Sequence, residues 1–122
     1  MKIAITSMGE KLEDKVDTRF GRCHYFILFD TETNKFETLE NTGAQGMGGV
    51  GILSGQLMAD KEVKTVLTGS CGPNAFQTLQ ATGTKVITGA TGTVQEAIDK
   101  FKSGELKAIS QANASAHSGM KK

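Results

Sequence analysis

A change of hydrophobic period constrains this chain more than any other feature. From Val63 onward, short β-branched runs alternate with helical stripes. Val63–Thr68 (VKTVLT) and Thr84–Thr88 (TKVIT) read as strands, because β-branched side chains fit a pleated, half-buried surface. Between them, Gly72-Pro73 predicts a helix start, where proline's missing N–H costs nothing. That helix runs to about Gln80 and buries Ala75, Phe76 and Leu79. After the last strand, Thr93-x-x-Glu96 has the spacing of a capping box, in which each side chain satisfies an orphan backbone N–H. Val94, Ala97, Ile98 and Phe101 then form one apolar face, and Ser103-Gly104 ends it. Upstream, Val50–Lys61 carries Val50, Leu53, Leu57 and Met58 on one stripe and predicts a further helix. Strands joined through helices imply parallel neighbours and right-handed crossovers.

The first half follows another pattern. Lys2–Thr6 (KIAIT) is a first strand, and residues 11–19 are charged and irregular. His24–Asp30 (HYFILFD) is almost continuously apolar, as a strand covered on both faces must be. Thr31–Lys35 is a turn, and Phe36–Glu40 (FETLE) alternates like an outer strand, so the two runs form a hairpin. The order β-β-β-α-β-α-β-α predicts an α/β protein: a five-stranded mixed sheet, one member antiparallel, with helices on both faces. One domain is expected over residues 1–107. From about Ala108 the composition turns to Ser, Ala, Asn, Gln and His, so residues 108–122 read as a flexible tail.

Composition narrows the function. Lys and Arg number 14 against 13 Asp and Glu, a net charge of +1, so the strong basic field of a nucleic-acid binder is missing. No apolar run nears the ~20 residues of a membrane span. The stretch after Met1-Lys2 is too short for a secretory signal, so a cytoplasmic location is expected. There, Cys23 and Cys71 are more readily free thiols or ligands than a disulfide. Strand one carries no carboxylate for a nuclease-type metal site, and two histidines give no compelling Ser-His-Asp set. Catalytic constellations are therefore poor.

The glycines locate the chemistry. They number 15 of 122, against a usual ~7%. Ligands of open α/β sheets bind beyond the carboxyl ends of the parallel strands. That rim collects Met8, the start of strand two (Gly21-Arg22-Cys23-His24), the loop Gly46-Met47-Gly48-Gly49, and Gly69-Ser70-Cys71-Gly72-Pro73-Asn74. Thiolate, thioether and imidazole together suit soft or borderline metals and metal–sulfur clusters, and glycine loops bring backbone N–H groups close to an anion. The bland readings stand beside this one. A lone cysteine is commonly a small buried hydrophobe, the methionines commonly pack loops, and His117 commonly stays solvated. Gly46-x-Gly48-x-x-Gly51 formally matches a dinucleotide fingerprint, but it follows the third strand and has no acidic ribose partner.

Beyond these patterns, Lys2-Ile3-Ala4-Ile5, Phe20-Gly21-Arg22-x-x-Tyr25-Phe26, the glycine-rich loop, Gly72-Pro73-Asn74-Ala75-Phe76, Gly92-Thr93-Val94-x-Glu96-Ala97 and Ser103-Gly104-x-Leu106 resemble the dinitrogenase iron–molybdenum cofactor biosynthesis family. The likeness covers roughly residues 1–107. That family includes the NifX and NafY carriers, the C-terminal part of NifB, and small single-domain members such as the orange protein of sulfate reducers. The resemblance implies a ribonuclease-H-like three-layer fold, strand order 3-2-1-4-5 with strand two antiparallel. It implies a non-enzymatic role, binding or carriage of a metal–sulfur cluster, either an iron–molybdenum cofactor precursor or a molybdenum–copper–sulfide type, which the isolated protein need not retain. Expected partners are that cluster and its donor and acceptor proteins, with no nucleic acid or membrane, and the chain a monomer or weak dimer. Many members carry Ala-Pro where this chain has Cys23-His24. Expected cofactor-binding residues are Arg22, Cys23, His24, Gly46, Met47, Gly48, Gly49, Gly69, Cys71, Gly72 and Asn74, with Cys23, His24 and Cys71 as candidate metal ligands. The competing reading is a regulatory or interaction module that binds a small anionic or phosphorylated ligand at the same glycine loops.

Overall fold

The computed structural model describes residues 1–20, 22–41 and 57–106. Five strands, β1 (Lys2–Ser7), β2 (Tyr25–Asp30), β3 (Phe36–Glu40), β4 (Thr65–Leu67) and β5 (Lys85–Ile87), form one sheet in the order β3-β2-β1-β4-β5. β2 runs antiparallel to both β1 and β3, while β4 and β5 run parallel to β1. Two helices are described in full, α1 (Pro73–Ala81) and α2 (Val94–Lys102). Architecture and strand order both agree with expectation.

The alternation of side chains along each strand sorts the core into two layers. Ala4, Phe26, Leu28, Val66 and Val86 point to one face and pack with Phe76 and Leu79 of α1 and with Met58. Ile3, Ile5, Ile27, Phe29, Leu67 and Ile87 point to the other and pack with Val94, Ala97 and Ile98 of α2. A fully buried side chain of this size contributes roughly 1.5–3 kcal/mol, so the two layers together hold the three-layer arrangement. β3 lies at the edge and is mostly exposed, as its alternating sequence requires.

The short strands are shorter than expected. β4 covers three residues, not the whole of Val63–Thr68, because the Val63 N–H returns to the Met58 carbonyl (3.0 Å) and closes the preceding turn. β5 likewise keeps only Lys85–Ile87. β2 begins at Tyr25, one residue after His24. Of the helix expected over Val50–Lys61, residues 57–60 are helical, and residues 50–56 lie outside the described residues. So do the loop holding Gly46, Met47, Gly48 and Gly49 and the segment 108–122.

Both halves of the capping box form at α2. The Thr93 hydroxyl accepts from Glu96 N–H (3.1 Å), and the Glu96 carboxylate accepts from Thr93 N–H (2.8 Å). Just before it, Gly92 sits at φ +79, a left-handed backbone that favours glycine. Thr93→Ala is expected to lower unfolding free energy by about 1 kcal/mol, read as a lower urea midpoint at unchanged slope. No loss would mean the cap is not limiting.

Candidate functional site

The carboxyl ends of β1, β4 and β5 share a rim with the start of β2 and the end of β3. Across this rim runs the segment 8–20, whose backbone bonds to elements around it rather than to a sheet of its own. Asp17 N–H donates to the Thr6 carbonyl (2.9 Å), Val16 N–H to Gly92 (2.9 Å) and Phe20 N–H to Ser70 (3.2 Å). In return, Ser70 N–H donates to Thr18 (2.8 Å), Val94 N–H to Asp14 (2.9 Å) and Gln95 N–H to Leu12 (2.9 Å). The segment expected to be merely irregular is therefore a strap stitched to β1, to the loop after β4 and to the start of α2.

Beneath the strap lies a buried polar group of three residues. The Thr6 hydroxyl donates to the Asp17 carbonyl (2.7 Å) and pairs with the Thr68 hydroxyl (2.9 Å). The Asp17 side chain is 4% exposed. Its Oδ1 accepts from the Arg19 backbone N–H (3.1 Å), the local turn that an Asp two residues ahead commonly makes. The Arg19 guanidinium Nε stands 3.5 Å from the same oxygen. Among the described residues Asp17 Oδ2 has no hydrogen-bond partner, and His24 Nδ1 lies 3.8 Å from it. Asp17 was not singled out from the sequence; the Asp-Thr-Arg turn was the available signal.

The sequence-derived candidates separate into three groups. Arg22 and His24 are exposed, the His24 side chain by 65%. Asn74 is exposed and Gly72 half-buried at the start of α1, where Gly72 is the N-cap with no side-chain cap and no acidic residue stands in the first turn. Cys23 and Cys71 lie in the core layer with Phe20, Phe26, Ala75 and Phe76. Among the described residues, no three His, Cys, Asp or Glu side chains gather as a metal-binding set, so Cys23, His24 and Cys71 are not assembled into one there. Burial pushes the Cys71 thiol up to about 11, and its sulfur lies 3.7 Å from the Gly72 carbonyl, to which it donates. Gly69 has a steric task of its own. A Cβ built there would stand 2.6 Å from Thr18 Cα and 2.8 Å from Thr18 O, so glycine lets the strap pass.

Asn41 ties the end of β3 to the residues before β2. Its side-chain N–H donates to the Cys23 carbonyl (2.9 Å) and reaches Cys23 Sγ at 3.7 Å, while its backbone N–H donates to His24 (2.9 Å). At the neighbouring position, the charge of Glu10 is the main cause holding the Tyr25 phenol above its ordinary value, with desolvation and Glu40 adding to it. A separate hollow of about 510 Å³ is lined by Lys11, Leu12, Glu13, Phe36 and Gln95 and holds neither thiol nor imidazole.

Comparison with known proteins bears on this rim. The dinitrogenase iron-molybdenum cofactor family model matches residues 1–104. An uncharacterized protein of Methanocaldococcus jannaschii is 32% identical over 110 residues, 88% of this chain and 90% of that one. The apo form of the orange protein from Desulfovibrio gigas superposes with a TM-score of 0.89 at 37% identity, covering 92% of this chain and 95% of that one. The NMR structure of a proposed NifB protein from Thermotoga, of the DUF35 family, gives 0.76 at 42% identity, covering 88% and 91%. Among the described residues no helix is long and apolar enough to cross a membrane.

Two outcomes follow for the site as described. Gly69→Ala is expected to cost about 1–3 kcal/mol by overpacking and to shift the Thr18 and Ser70 amide resonances; unchanged amides would show that the strap yields freely. For Cys71 the folded thiol holds its proton to about pH 11, above its ordinary value of 9.0. The unfolded chain therefore loses that proton first, and stability contributed by the neutral thiol falls between about pH 9 and pH 11. A Cys71→Ser variant should lose this part of the alkaline decline, measured by urea unfolding at pH 8 and pH 10.

Proposed function

We propose that this chain, which belongs to the dinitrogenase iron-molybdenum cofactor family, binds a metal–sulfur cluster at the strapped rim of its sheet and carries it between a donor and an acceptor protein. The cargo is of the iron–molybdenum precursor or molybdenum–copper–sulfide type. The chain carries the cluster and does not turn over a substrate; it works as a cytoplasmic monomer or weak dimer.

The observation that carries this reading is the likeness to the orange protein across nearly the whole of both chains. The chemistry of the rim supports it. Such clusters are anionic, and this protein is near neutral overall, so attraction has to be local. The start of α1 supplies backbone N–H groups with no acidic residue in the first turn to compete, a favourable end of a helix dipole. Exposed Arg19 and Arg22 add positive charge nearby. The proposed site also takes in Gly46, Met47, Gly48 and Gly49, which lie outside the described residues. Cys23 and Cys71 serve the core in this reading: both are buried, and burial holds the Cys71 thiol in its neutral form, a poor ligand.

Anaerobic mixing with tetrathiomolybdate and a copper salt is expected to give a coloured complex of about one cluster per chain that survives gel filtration. Protein eluting colourless and free of metal would overturn the reading. Cys23→Ser and Cys71→Ser should each keep the colour while costing about 1–3 kcal/mol of stability, the usual cost of a buried hydroxyl without a full set of partners. Loss of colour in a folded variant would make that thiol a ligand. A phosphorylated ligand that shifts the amides of Gly69–Asn74, with no metal uptake, would favour the competing anionic-ligand reading.

A further inference from the structure

The carboxylate of Asp17 poses a question that the strap does not answer. It is 4% exposed, yet among the described residues only Oδ1 is partnered. A buried carboxylate oxygen with no donor is costly, so such groups are ordinarily matched. The imidazole of His24 is close by, its Nδ1 3.8 Å from Oδ2, a few tenths of an ångström beyond a hydrogen bond. The two side chains differ in freedom. Asp17 is fixed: its N–H, its C=O and Oδ1 are all bonded, to Thr6 and to Arg19. His24 has a rigid base and a free ring. Its carbonyl is held by Asn41 N–H and the preceding carbonyl by the Asn41 side chain, while its side chain is 65% exposed. A small rotation of that ring closes the gap.

We infer that Asp17 accepts the Nδ1–H of His24 and so holds the imidazole in one tautomer, with Nε2 left bare as a ligand for a late transition-metal ion of the cargo. The inference rests on the carrier reading above for its cargo, but not for its geometry. A ligating histidine almost always gives its other ring N–H to a carboxylate or carbonyl, which fixes the ring and raises its basicity. Imidazole suits copper, iron and zinc. The consequence is a division of labour at the rim: backbone N–H groups and arginines hold the anionic cluster, and His24 Nε2 takes one open metal position. Asp17 is a positioning residue, since it acts through His24.

The test begins without any cargo. In uniformly 15N-labelled protein carrying His117→Ala, the remaining ring is that of His24, and its nitrogen shifts report the tautomer. The expected state is protonated Nδ1 with Nε2 bare. A predominantly Nε2–H ring overturns the inference outright, and this measurement needs no change at Asp17. Copper(II)–iminodiacetate, a chelate with an open position for one imidazole, then serves as the metal probe in the same background. His24→Ala should abolish its binding. Asp17→Asn, which keeps the shape and the turn, should weaken it about tenfold, the low end for a lost partner of a ligating histidine, and should mix the two tautomers. Unchanged affinity and tautomer in a folded Asp17→Asn protein would sink the idea. With thiomolybdate and copper, full colour in His24→Ala would also overturn it while leaving the carrier reading intact. No colour in the unaltered protein would sink the carrier reading, and the tautomer and chelate measurements would still decide the role of Asp17.

Discussion

The segment from Met8 to Phe20 has to satisfy its backbone hydrogen bonds without a strand partner along its length, and the way it does so organises this molecule. Folded chains leave few buried N–H or C=O groups unpaired. Here the partners are drawn from Thr6 on β1, Ser70 after β4, Gly92 before α2 and the first residues of α2 itself. The strap thereby fixes the distance between three separate elements at the end of the sheet where ligands of α/β proteins gather. It also explains Gly69, whose missing side chain is the space that Thr18 occupies.

Much of the frame was legible because it is written locally. The switch from period two to period 3.6 marks β4, α1, β5 and α2, and Thr93 with Glu96 names the start of α2 to the residue. The alternation Ile3-Ala4-Ile5 against Phe26-Ile27-Leu28 already divides the core into its two layers. The strap was not legible in this way. Its residues are charged, have no period, and find their partners through non-local backbone bonds that side-chain patterns do not record. Asp17 illustrates the difficulty: one acid among several in a polar stretch, and the one that burial singles out. Strand polarity was legible, and the sheet order and directions follow it; it puts Arg22 and His24 before β2 at the same end of the sheet as Gly72 and Asn74 after β4. Strand polarity does not say which way a side chain turns at the strand's edge, and both thiols turn inward.

Those inward thiols change the character of the site. A soft-ligand pocket of thiolates would bind metal tightly and release it slowly. With both cysteines enclosed, the rim proposed above would hold a cluster through dipoles, arginines and one imidazole, a weaker and more reversible set. That balance suits the proposed carriage, which requires release.

The sheet also acts as a partition. Cys23, Cys71, Phe76 and the start of α1 belong to one layer, while Val16, the capped start of α2 and the Ile98 face belong to the other. Substitutions in separate, well-packed layers act nearly independently on stability. A substitution around the start of α1 is thus free to act in its own layer while Val94, Ala97 and Ile98 keep the opposite face of the sheet covered, and the strap joins the two through Phe20 on one side and Val16 on the other.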